Sequence, residues 1–136
     1  MADSNAYLLA GLPAGGAYRL TIRLDRRLRL RVGALGVVVL PAGSYVYCGS
    51  ARRNLPARVG RHLRRRKPRR WHIDYLLAHA AARVYQVHAW PRASECGLVR
   101  RAVRSGGRAV VAGFGSSDCR RCPAHLIYMA MEAEPQ

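Results

Sequence analysis

Five side chains in this sequence, Tyr18, Tyr47, Arg58, His62 and Glu95, form a set whose types and spacing suit cutting a phosphodiester. Tyr47 lies in the stretch Gly43-Ser-Tyr-Val-Tyr-Cys-Gly-Ser-Ala51, which is followed by Arg58 and His62 four residues apart. On a helix that interval puts two side chains one turn apart on a single flank. A tyrosine-rich strand running into such a helix brings a phenol, a guanidinium and an imidazole close together. Hydrolysis of a phosphodiester needs an activated water, neutralisation of the charged transition state and help for the leaving oxygen, and one hard cation plus one arginine can supply the last two. Mg²⁺ (or Mn²⁺) keeps several waters and often needs only one or two carboxylates, so Glu95 alone is a sufficient metal anchor. Between Asn5 and Met131 the acids are Asp25, Asp74, Glu95 and Asp118, too sparse a supply for a two-metal nuclease.

Each of these residues also has a duller role. Tyrosines pack well in strands, which is the preferred reading for Tyr45. An arginine in so basic a chain is commonly solvated, and a lone histidine commonly sits satisfied at the surface. Glu95 could simply complement a helix N-terminus beside Ser94. Asp74 can pair with one of many arginines and is left out of the catalytic set.

The charge balance points to the same class of substrate. The 136 residues carry 24 Lys+Arg against 7 Asp+Glu, a formal net charge of +17, and Lys67 is the only lysine. Arginine forks match phosphate oxygens two at a time, so the composition fits nucleic acid. A genome that favours arginine codons explains Arg over Lys, but not the excess of base over acid. Arg52, Arg53, Arg61, Arg65, Arg66, Lys67, Arg69 and Arg70 are the candidate nucleic-acid contacts. No apolar run approaches the eighteen residues of a membrane span. The first residues are acidic with only a short apolar stretch, unlike a signal peptide. A cytoplasmic protein with no membrane partner is expected, with cysteines as thiols or metal ligands. Cys119, Cys122 and His125 form a C-x2-C-x2-H cluster that suits zinc, with Cys48, Cys96 or water as a fourth ligand; buried packing of small thiols is the alternative, and zinc is not counted as a cofactor.

The elements that must hold these groups follow from periodicity. Ala17 to Leu24 alternates Tyr18, Leu20, Ile22 and Leu24 against Arg19, Thr21 and Arg23, a half-buried strand. Leu28 to Val32, Val37 to Leu40 and Ser44 to Cys48 predict further strands, together an antiparallel meander. Asn54 is positioned to cap a helix from Leu55 to about Arg65 with an apolar stripe of Leu55, Val59 and Leu63. A basic loop leads to a second helix, His72 to Ala82, with Ile73, Leu76, Leu77 and Ala80 inward. A strand through Val84, Tyr85 and Val87 ends at Trp90-Pro91. Ser94 caps a third helix, Glu95 to about Ser105, closed by Gly106-Gly107. Ala109 to Ala112 reads as a strand, Gly113 to Asp118 as a glycine-rich loop, and His125 to Met131 as a short closing element. The fold class is α+β, a small antiparallel sheet flanked by helices in one domain spanning 1–136: a core of about 16–103, a C-terminal extension at 107–130 and a disordered tail at 131–136.

Gly16-Ala-Tyr18 on the first strand, Tyr47-Cys-Gly49 on a later one, Asn54-Leu55 leading to Arg58 and His62, and Glu95-Cys-Gly-Leu-Val on a helix together resemble a GIY-YIG nuclease domain. More narrowly, Gly-Ser-Tyr-Val-Tyr-Cys-Gly-Ser-Ala, Arg-His-Leu, Trp71-His-Ile-Asp-Tyr-Leu and Gly113-Phe-Gly-Ser-Ser-Asp-Cys are similar to an uncharacterised branch of that superfamily, catalogued as a domain of unknown function and found alone or fused to a DNA-repair glycosylase. The resemblance implies that Tyr18 and Tyr47 position or deprotonate the attacking water and that Arg58 stabilises the phosphate. It further implies that His62 acts as general base, that Glu95 binds one divalent metal, and that His72 matches a second family histidine. Ala17 and Cys48 depart from the aliphatic β-branched residues usual at the centres of the two motifs, the link between the strands is longer than usual, and the segment after Gly107 has no counterpart. The expected function is a metal-dependent endonuclease acting on DNA, in repair, with a DNA-repair protein as a further partner. The alternative is a non-catalytic nucleic-acid-binding module on the same scaffold.

Overall fold

The computed structural model describes residues 7–116 and 121–130. At its centre is β1, Gly16–Leu24, whose Tyr18, Leu20, Ile22 and Leu24 are buried as the alternation requires. β1 pairs antiparallel with β4, Gly43–Ala51, along the full length of both strands, and on its other edge with β5, Ala82–Trp90. The outer edge of β4 takes β6, Leu126–Ala130, completing a sheet of order β5-β1-β4-β6. The α+β class, an antiparallel sheet flanked by helices, is the observed one.

The expected meander is not. β2, Leu28–Arg31, and β3, Val37–Leu40, pair only with each other as a separate two-stranded ribbon. Each edge of β1 is satisfied by a nine-residue partner, and a four-residue strand offers too few ladder hydrogen bonds to displace one. Ala109 to Ala112 likewise does not form a strand. β6 already occupies the edge of β4, and the nearest ladder contact is a single bridge between Arg108 and Tyr128. The tail expected at 131–136, and Cys119, lie outside the described residues.

Helices cover both faces. Tyr18, Leu20, Ile22, Tyr45 and Tyr47 pack under α1, Leu55–Leu63, and α2, His72–Leu77, through Leu55, Val59, Ile73 and Leu76. On the opposite face Ala17, Val46, Cys48 and Ile127 meet Leu98, Val99 and Ala102 of α3, Glu95–Arg104. Each large apolar chain so covered contributes about 1.5–3 kcal/mol. Tyr45 belongs to this packing: its hydroxyl donates to the Pro41 carbonyl at 2.6 Å and its ring leans on Tyr128. Cys48 is buried too, and desolvation pushes its thiol up to about 12, so it is inert.

The helix ends are set in part by side chains from outside the helix. Asn54 precedes α1 but caps without its side chain; it takes the left-handed conformation at φ 58°, which asparagine tolerates. α1 stops at Leu63 because Lys67 Nζ donates to the carbonyls of Arg61 at 3.0 Å and His62 at 2.7 Å. α2 stops at Leu77 rather than Ala82, and Ala80 is exposed. Arg65 receives the chain there, donating to the carbonyls of Leu77, His79 and Ala82. Ser94 does cap α3, accepting from Gly97 N at 3.0 Å. Among the described residues no helix is long and apolar enough to cross a membrane.

The basic stretch between α1 and α2 is organised by one carboxylate. Asp74 is fully buried and accepts from Arg61 at 2.9 and 3.0 Å and from the backbone N–H groups of Arg70 and Trp71 at 2.8 and 2.9 Å. Burial alone would raise its pKa, but the hydrogen bonds from Arg61, Trp71 and Arg70 outweigh it and hold the carboxyl below its ordinary value. Asp74→Ala is expected to destabilise the protein by about 3 kcal/mol in urea unfolding, since it strands a half-buried guanidinium and two backbone donors. A loss under about 0.5 kcal/mol would show that this brace is a surface pair.

Candidate active site

Register and helix phase bring the five sequence-derived residues together. Tyr18 stands opposite Gly49, and Leu20 opposite Tyr47, so both phenols rise from the face of the sheet that α1 covers. Gly49 makes room for this: a Cβ there would lie 2.5 Å from Cζ and Oη of Tyr18, inside any tolerable contact. His62, one turn after Arg58, dips into the same face and is 1% exposed. Tyr18, Tyr47, Arg58, His62 and Glu95 all line one cleft of ≈ 300 Å³. Glu95 enters from the first turn of α3 and is half-exposed.

At the floor of the cleft the Tyr18 hydroxyl and His62 Nε2 share a hydrogen bond of 2.7 Å. Tyr47 meets the His62 ring edge-on at 5.7 Å between centroids, and Trp71 covers another side at 5.7 Å. His62 is thereby sealed from water. Burial, reinforced by the positive charge of Lys67, drives its pKa from 6.5 down to about 3, against a smaller opposing pull from Asp74. The imidazole is neutral at neutral pH and able to accept a proton. Its Nδ1 is buried without a hydrogen-bond partner among the described residues. Both phenols are pushed well above the ordinary tyrosine value, Tyr18 by burial and then by Tyr47, Tyr47 by burial and then by Glu95. The guanidinium of Arg58 pulls both the other way.

Arg58 is held at the rim. It donates to the Ser50 carbonyl at 3.1 Å and stacks on Trp71 at 5.2 Å, leaving most of its donors toward solvent. The other basic candidates divide. Arg61 binds Asp74 and the Pro68 carbonyl, while Arg65 and Lys67 bind the backbone carbonyls that end α2 and α1. Those three act as internal struts. Arg52, Arg53, Arg66, Arg69 and Arg70 are exposed; Arg70 lines the cleft itself, and Arg52 and Arg53 line an adjoining groove with Arg58 and Trp71.

Ser50, Trp71, His72, Gly115, Ser116 and His125 also line the cleft. His72 pins the far wall, accepting from Gly115 N at 2.9 Å through Nδ1 while its ring meets Phe114. Trp71 and His125 were missed as wall residues. The signal for Trp71 was its place beside the basic loop; for His125 it was the C-x2-C-x2-H motif, which suggested a metal site elsewhere. His125 Nδ1 stands 3.6 Å from Glu95 Oε2.

Two groups could hold a cation. Glu95 offers the cleft a carboxylate oxygen near the hydroxyl-bearing Tyr18, Tyr47 and Ser116, a donor set suited to a hard ion with retained waters. Cys96, Cys122 and His125 could hold a metal of softer preference.

The family model described as "Domain of unknown function DUF123" matches residues 17–136. No curated protein and no solved structure matches the chain.

A pH dependence follows from the sealed histidine. Below pH 6.5 an unfolded chain takes up a proton at His62 that the folded chain refuses until about pH 3. Stability carried by neutral His62 is therefore fully present above pH 6.5 and is lost as pH falls through that window, by up to about 1.4 kcal/mol per unit. Urea unfolding of wild type and His62→Gln between pH 7.5 and 4 should show the steeper fall in wild type. Parallel curves would place His62 in water.

Proposed function

The chain belongs to the family described as domain of unknown function DUF123, and for this member we propose the reaction of a metal-dependent endonuclease that hydrolyses phosphodiester bonds in DNA. The observation that carries this reading is the shared cleft: a sealed neutral imidazole bonded to a phenol, an arginine at the rim and the carboxylate of Glu95 in the same lining. A pure binding surface has no use for a carboxylate beside a phosphate. The GIY-YIG resemblance assigns the same five residues the same parts.

In this reading the scissile phosphate sits against Arg58, whose free donors neutralise the equatorial oxygens. Water attacks phosphorus while the bond to the leaving oxygen breaks. The proton released from the water passes to the Tyr18 oxygen as the Tyr18 proton shifts along the 2.7 Å hydrogen bond to His62 Nε2, which holds it only transiently and returns it through Tyr18 to water in the cleft, while the leaving oxygen takes up a proton from solvent. A free phenolate never forms, in keeping with the raised tyrosine pKa values. Tyr47 remains a neutral donor and orients the water. Glu95 would hold Mg²⁺ or Mn²⁺, which would supply charge stabilisation for the leaving oxygen. The exposed Arg52, Arg53, Arg66, Arg69 and Arg70 track the backbone on either side. A role in DNA repair, alongside a repair protein, remains a proposal on the resemblance alone. The cleft's stacked Trp71 and arginines would equally serve a binding module without turnover.

Glu95→Gln should reduce Mg²⁺-dependent cleavage of supercoiled or branched DNA by at least about 100-fold while metal-free binding holds or tightens, because one repulsive carboxylate is gone. Arg58→Ala should lose both cleavage and affinity. Wild type, freed of contaminating nucleases, that cuts nothing across duplex, flap, junction and single-stranded substrates would put the binding module first. Affinity for duplex DNA should also fall steeply with salt, by about 10³-fold from 50 to 200 mM if six or more phosphates are contacted. A flat salt dependence would exclude binding led by phosphate contacts.

A further inference from the structure

A second cluster lies where the start of α3 approaches the residues preceding β6. One ligand atom each from Cys96, Cys122 and His125 lie within 4.8 Å of one another. Cys96 is half-exposed in the first turn of α3, Cys122 is half-exposed, and His125 is 4% exposed. The histidine is an unusual group to bury there. Its Nδ1 faces Glu95 Oε2 at 3.6 Å, whereas Nε2 is buried without a hydrogen-bond partner among the described residues. An orphaned imidazole nitrogen costs about 1–3 kcal/mol, a cost native structures seldom leave standing.

We propose that Cys96, Cys122 and His125 hold a Zn²⁺ ion, with His125 bound through Nε2 and the fourth position taken by water or a further thiolate. Two thiolates and an imidazole select Zn²⁺ over the hard ions that suit Glu95. With metal–sulfur bonds of about 2.3 Å, ligand atoms of a tetrahedral site sit about 3.8 Å apart, so the present cluster closes by roughly an ångström at most. Among the described residues, Cys96 supplies the second thiol that the C-x2-C-x2-H motif sought in Cys119.

The site has a consequence for the cleft. A metal on Nε2 leaves the proton of neutral His125 on Nδ1, so that the ring donates toward Glu95 in a carboxylate–histidine–metal relay. Zinc would then tie the first turn of α3 to the entry of β6 and fix the direction of the Glu95 carboxylate in the cleft. His125 is in this sense a positioning residue. Zinc binding itself stands or falls without the proposed cleavage.

The untagged chain, purified under reducing conditions without chelator, should carry about one zinc per molecule by elemental analysis and native mass spectrometry. Zinc removed by a strong chelator should lower the melting temperature, and re-addition of ZnCl₂ should restore it. Cys96→Ser and Cys122→Ser should each weaken zinc binding by at least about 100-fold, whereas Glu95→Gln should retain the ion. Should a serine variant fail to fold, Co²⁺ added to the wild-type apoprotein decides the matter, through the visible bands of tetrahedral thiolate coordination. A metal-free protein whose melting is indifferent to zinc, a Cys96–Cys122 disulfide by mass, or a cobalt spectrum of octahedral oxygen ligation would each overturn the proposal. Because these readouts need no DNA, a failure here is distinguishable from a failure of the nuclease reading.

Discussion

The hydrogen bond between Tyr18 and His62 is the contact on which the rest of the site depends. It is made at 2.7 Å between a central strand and a helix packed over it, with both partners almost wholly buried. Two polar groups are taken from water there, and leaving either unpaired would cost about 1–3 kcal/mol. The pair therefore fixes how α1 sits on the sheet, and with it where Arg58 emerges. Gly49 is the counterpart of that demand on the neighbouring strand, since any side chain would expel the phenol. The neutral state of His62 follows from the same burial, so the packing that holds the helix also keeps Nε2 unprotonated and bonded to the phenol.

Around this contact the excess positive charge is divided into two kinds of work. Arg61, Arg65 and Lys67 terminate helices and hold a buried carboxylate, and the sole lysine is so desolvated that its pKa drops to about 8. Arg52, Arg53, Arg58 and Arg70 stay at the surface, lining the cleft and the groove beside it, where they raise the local concentration of any polyanion. A basic loop read only as a phosphate-binding track is thus half scaffold. Trp71 joins the two, covering His62 while offering its faces to Arg58 and Arg61.

Where local pattern and burial agree, the sequence was readable. The alternation of Tyr18 through Leu24 and the four-residue spacing of Arg58 and His62 predict a strand and a helix that both form. The spacing alone also places two of the cleft residues on one flank. Strand order was hidden, because Leu28–Arg31 has the periodicity of a neighbour to β1 yet loses both edges to longer strands from far along the chain. The end of α2 was hidden for a related reason: Arg65, about a dozen residues upstream, supplies its cap. His125 shows the limit of motif reading, since a metal-like spacing gave its chemistry but not its place beside Glu95. Contacts between distant residues leave no periodic trace.

The central claim is that the Tyr18–His62 pair moves the proton of the attacking water. Single-turnover cleavage of a branched DNA by Tyr18→Phe, with affinity measured alongside, tests it most directly. The phenylalanine keeps the packing and deletes only the hydroxyl. The account predicts a rate at least about 100-fold below wild type with DNA affinity unchanged. A variant that cuts at the wild-type rate would contradict it.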